Sequence, residues 1–171
     1  MKKFLTTLAM MAIIALPLSA QKNIMPQYTG EVALLNADST ITTLEKTPCQ
    51  MKATGSLTGG KASLVMEGIA SKVRVTHGKD IRIVVRMGNN SYAPDQFVKV
   101  YKLNIKKKKY REAIMTRIKT FSSTPTDDGN ISYESEQYGK ECYVITLKDL
   151  PVGEYAVQVI NLTALYCFGI E

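Results

Sequence analysis

His77, the only histidine of the chain, stands in the run His77-Gly-Lys-Asp80. Imidazole is the usual base near neutral pH and the commonest zinc ligand. Without a second histidine, a zinc site would have to gather carboxylates or cysteines from distant loops, so His77 is expected to be a surface turn residue. Carboxylates cluster at Asp127-Asp128 and at Glu134, Glu136 and Glu141. A carboxylate pair can hydrolyse glycosides when one member is kept protonated by its surroundings. These residues fall in a polar loop and a weakly alternating, polar strand, where solvation keeps carboxylates ionised. Gly55-Ser-Leu-Thr-Gly59 has the wrong spacing for a nucleophile elbow, and Gly59-Gly-Lys61 lacks the upstream glycine of a phosphate loop. No catalytic residue, metal site or cofactor is therefore assigned. A small hydrolase using loop carboxylates stands as the alternative from the enzyme class.

Cys49, Cys142 and Cys167 are the three cysteines. An oxidising compartment permits one bridge and leaves one thiol over. Cys142 and Cys167 fall in two C-terminal strand segments and are the pair that could bridge. Buried free thiols, packing as small apolar groups, are the other reading.

The densest charge lies in one strand–turn–strand. Lys99, Lys102, Lys106, Lys107, Lys108, Lys109 and Arg111 crowd its centre, and Tyr101 and Tyr110 interleave. A projecting tip of this kind attracts anionic surfaces; a merely solvated turn whose lysines protect a sheet edge explains the same run.

Compartment decides which anions are available. Met1-Lys-Lys3, an apolar run from Phe4 to Leu16 and a small residue at Ala20 describe a secretory leader cleaved near Ala20. The run is shorter than the roughly 20 residues of a membrane span, and no later segment reaches that length, so no transmembrane segment is expected after the leader. Its removal leaves 151 of the 171 residues, enough for one domain, and lowers the formal net charge from +7 to +5. Export argues against nucleic acid. An anionic envelope component, or a protein partner, is expected in a secreted or periplasmic setting.

The elements that must position these groups read as strands. Tyr28–Leu35 and Thr40–Leu44 flank the turn Asn36-Ala-Asp38 and form an expected N-terminal hairpin. Residues 46–60, with Pro48, Gly55, Gly59 and Gly60, read as a loop or linker. From Ala62 the strand signals are dense. Lys72–Thr76 and Ile81–Met87 alternate around His77–Asp80 and are expected to pair as a hairpin. Phe97–Ile105 and Tyr110–Phe121 flank the lysine run, the second reading as strand with helix as the alternative. Ile131–Tyr138 suits an edge strand, and Thr163–Ile170 a last strand. About nine or ten short strands of this spacing indicate a sandwich or barrel.

In Glu141–Ile160, Tyr143, Ile145 and Leu147 share one face, and Tyr155, Val157 and Val159 another, around Leu150-Pro-Val-Gly153. Proline presets φ for a turn, and glycine supplies the position that follows. A plain hairpin would serve. The run Leu150-Pro-Val-Gly-Glu-Tyr155 also resembles the corner of immunoglobulin-like β-sandwich modules, with carboxypeptidase-regulatory-like and fibronectin-type modules nearest in style. That resemblance implies a leucine plugging the core where the chain crosses between sheets, and a tyrosine whose hydroxyl bonds back to nearby backbone.

The expectation is an all-β, Ig-like antiparallel β-sandwich: residues 1–20 a signal peptide, 21–60 an N-terminal hairpin and loop, and 61–171 the sandwich domain. Its expected role is non-catalytic, as a binding or structural module of the cell envelope. A third reading is assembly by strand addition through Tyr28–Leu35.

Overall fold

A computed structural model describes residues 24–56, 59–119, 129–159 and 164–171, without the side chains of residues 56, 118 and 119. The expected leader and its cleavage site, and Asp127-Asp128, lie outside the described residues. Thirteen strands run through the described chain: β1 (Val32–Leu35), β2 (Ile41–Thr43), β3 (Glu45–Pro48), β4 (Gln50–Ser56), β5 (Gly59–Glu67), β6 (Arg74–Val75), β7 (Ile81–Arg86), β8 (Val98–Lys106), β9 (Tyr110–Lys119), β10 (Glu134–Tyr138), β11 (Cys142–Leu147), β12 (Gly153–Val159) and β13 (Ala164–Ile170). A single 3-10 turn, Pro94–Gln96, is the one helical element among them.

The strands form two packed layers, an all-β sandwich. Five make one sheet in the order β10-β11-β7-β1-β2; eight make the other, β3-β13-β12-β8-β9-β5-β4, with β6 beside β13. Period-two alternation builds the core between them. Ile83, Val85, Ile145 and Leu147 come from the smaller sheet, and Val98, Val100, Tyr155, Val157, Phe168 and Ile170 from the larger. The opposite face of the larger sheet is apolar too: Leu64, Met66, Tyr101, Leu103, Ala113, Leu165 and Cys167 form a second core.

The second core exists because the larger sheet curls on itself. Its two end strands, β3 and β4, are separated only by Cys49. One continuous segment therefore pairs with β13 through Glu45–Pro48 and with β5 through Gln50–Ser56. Pro48 has no N–H to donate, and it stands where the segment changes partner. The curl encloses what a flat sheet would expose.

Three expectations are corrected. The N-terminal hairpin forms, but β1 lies between β2 and β7 inside the smaller sheet. The described residues of 21–60 are thus no separate unit, and Val32–Leu35 is not a free strand for addition to another molecule. Apart from Cys49, the described residues of the expected linker over 46–60 are strand, and they close the curl. Lys72–Thr76 does not pair with Ile81–Met87: β6 runs parallel to the end of β13, whereas β7 is held between β1 and β11. A strand whose Ile81, Ile83, Val84 and Val85 are all buried gains more from two neighbours than from one short hairpin partner. Of the two readings of Cys142 and Cys167, the possible bridge does not form: both are buried free thiols. Cys142 packs with Leu35, Val84 and Val144 on the outer face of the smaller sheet, and Cys167 inside the curl of the larger, so two layers separate them.

The segment after the lysine run is strand, β9, and Glu134–Tyr138 is an edge strand. The chain between β11 and β12 crosses from one sheet to the other, so it is a corner and not a hairpin. Leu150 packs on the inter-sheet core. The buried Tyr155 donates its hydroxyl to the Pro151 carbonyl at 2.6 Å and stacks on Phe168 with ring centroids 5.5 Å apart.

Candidate functional site

The lysine run is the tip of the β8–β9 hairpin. The ladder closes at Lys106↔Tyr110, and the Lys109 N–H donates to the Lys106 carbonyl at 3.0 Å. Lys107 and Lys108 both have φ 50. Mirror-image hairpin turns require such a left-handed pair and favour Asn-Gly there, since a side chain in that region costs roughly 1 kcal/mol. The four lysines are exposed. Among the described residues no carboxylate lies within ion-pair distance of Lys107, Lys108 or Lys109.

The other three candidates of the basic hairpin separate. Lys102 is exposed on the face that carries Val98 and Val100, and its chain passes Gly153. Lys99 is half-buried on the opposite face, opposite Gln158. Arg111 is corrected outright: it is 1% exposed and cannot meet an external ligand. Strand alternation puts it with Ala113 on the inner side of the curl, across from Met66.

What accepts a guanidinium there is a charge network that composition did not reveal. Arg111 Nη1 lies 3.7 Å from Glu154 and 4.0 Å from Glu45. Glu154 also takes an ion pair from Arg74 and the Ser71 backbone N–H at 2.7 Å. Arg74 reaches on to Glu171 at 3.1 Å. Gly169 leaves the space, since a Cβ there would collide with Arg74 Nη1 and crowd Glu154. The Glu154–Arg74 pairing pulls the Arg74 pKa further up, chiefly through that hydrogen bond. Arg111 and Glu154 stood in the sequence as one more lysine-run cation and one more strand carboxylate; only their parity inside a curled sheet separates them from surface charges.

The carboxylates that might have formed a hydrolytic pair do not converge among the described residues. Glu134 pairs with Lys148, Glu136 with Arg82 and Glu141 with Arg86. His77 is exposed in its turn, its backbone N–H donating to the Glu171 carbonyl at 2.8 Å. It shares a concavity of about 170 Å³ with Lys79, Asp80 and Asp149. That volume is below the roughly 300–1,000 Å³ of ordinary ligand pockets. No hydrogen bond joins the imidazole to either carboxylate among the described residues, so nothing there orients it as a base. A larger cleft of about 430 Å³, where β3 gives way to β4, is lined by Thr47, Cys49, Met66, Glu67 and Tyr110. Burial pushes the Cys49 thiol pKa up, opposite to what a nucleophile needs. No group of three or more histidine, cysteine or acidic side chains among the described residues could hold a metal ion.

No protein-family model, curated protein or solved structure matches the chain.

Proposed function

We propose that the protein is an exported, non-catalytic module of the cell envelope that binds an anionic component through the Lys106–Lys109 turn. The leader-like N-terminus supports export, and the corner at Leu150–Tyr155 supports kinship with Ig-like modules. One observation carries the binding role: two lysines occupy the left-handed positions that asparagine and glycine fill at lower cost. Strain retained at an exposed cationic tip points to use of the charge. Solvation alone is served equally by lysines on the flanking strands.

The substitution pair Lys107→Asn with Lys108→Gly separates the two roles. It replaces strained residues by the favoured turn pair and removes two charges. We expect the variant to be more stable than the parent by about 1–2 kcal/mol in denaturant titration and to lose retention on an anionic matrix at low salt. Equal retention of parent and variant would sink the reading.

A further inference from the structure

The rim of the curled sheet that carries the lysine turn also carries bare aliphatic side chains. Ile105 is 53% exposed, Val152 61% and Ile69 47%. They are three of the eight large apolar side chains left exposed among the described residues. Their placement is common, not scattered. Ile105 immediately precedes Lys106 and pairs with Arg111. The β8–β12 ladder ends at Leu103↔Glu154, with Ile105 two residues past that end on one chain segment and Val152 two residues before it on the other. Gly68, which precedes Ile69, donates its N–H to the Lys109 carbonyl at 3.0 Å. Lys102, beside Gly153, adds a fifth cation to the four of the turn. The acidic groups near this rim are Glu67, exposed and paired with Tyr110 in the ladder, Asp149, exposed before the corner and sharing a small concavity with the exposed Asp80, and Glu171, already tied to Arg74.

We propose that this rim is a membrane-contact surface, on which the lysines meet the headgroups of an anionic bilayer while Ile105, Val152 and Ile69 enter the headgroup–acyl boundary. This rests on the reading of the lysine turn as an anion-binding surface and names the anion as lipid. A soluble polyanion is held by charge and hydrogen bonds, and gains nothing from exposed aliphatics. A bilayer offers negative charge and, a few ångströms deeper, an apolar layer. Cations and aliphatic groups on one projecting rim match both.

The test is co-sedimentation of the purified chain with phosphatidylcholine vesicles and with vesicles also containing phosphatidylglycerol, at low and high salt. Retention on heparin serves as the soluble-polyanion comparison. The parent is expected to bind only the anionic vesicles. K107N/K108G is expected to bind them about thirty-fold more weakly at low salt. I105T/V152T is expected to bind them about ten-fold more weakly, with heparin retention unchanged. Both variants are first checked for parental circular dichroism and cooperative melting. Parental vesicle binding by I105T/V152T would overturn the membrane assignment while leaving the lysine turn intact. Heparin retention without vesicle binding would overturn it in favour of a soluble polyanion. Binding to neither would remove both this inference and the reading beneath it.

Discussion

Tyr155 shows how one side chain can fix a crossing between sheets. It is fully buried, yet its hydroxyl finds the Pro151 carbonyl four residues upstream. Burial raises its pKa, so it remains a neutral donor through the physiological range. Tyr155→Phe keeps the ring stacked on Phe168 and removes only the hydrogen bond. The expected loss is about 1 kcal/mol in chemical denaturation, with no change in far-ultraviolet circular dichroism. The corner was legible because its residues are local: a turn proline, a glycine and the tyrosine lie within six positions. The role of Arg111 was not, because its partners Glu45 and Glu154 are remote in the chain and meet it only when the sheet curls.

At the scale of elements, the curled sheet carries two buried charge arrangements that behave differently. In the first, Glu154 has two cationic neighbours, Arg74 and Arg111, and a backbone donor. Glu154→Ala leaves Arg111 buried without its nearest counter-charge and is expected to cost about 3–5 kcal/mol. Arg111→Met leaves Glu154 still bonded to Arg74 and Ser71, and fills the space among Met66, Ala113 and Cys167 with an apolar chain. It is expected to cost far less, and urea titration of the two variants measures the gap. In the second, β9 presents Glu112 to Lys61 at 2.7 Å and Ser63 at 2.9 Å. Burial alone would raise the Glu112 pKa. Hydrogen bonds from Lys61 and Ser63, with attraction from Lys61 and Lys106, outweigh it and hold the carboxyl below its ordinary value. A depressed folded-state pKa contributes stability that is present above the unfolded-state value, near 4.5, and is lost as pH falls through the folded-state value. Glu112→Gln should flatten the acid limb of a stability–pH curve below about pH 4.5 and leave the alkaline limb unchanged.

For the molecule as a whole, the boundary expected at residue 60 and the continuity actually found make opposite forecasts. If residues 61–171 were a domain, a fragment beginning at Lys61 would fold alone. Here β1 fills the position beside β7, Leu44 sits in the inter-sheet core, and β3 and β4 close the curl. The fragment is therefore expected to lack a cooperative thermal transition and to expose apolar surface to a hydrophobic dye. A sharp melt like that of the longer chain would restore the boundary. Strand character, the lysine turn, the edge strand and the corner were all written in the sequence, since alternation and turn chemistry act over a few neighbouring residues. The sequence by itself determined that the chain is all-β and where most strands run. Which strands became neighbours was decided only in three dimensions: β7 chose β1 and β11 over β6, and one segment came to serve both ends of a sheet. The physical reason is that pairing depends on which faces can be buried together, and an apolar residue at period two specifies a face without saying what will cover it.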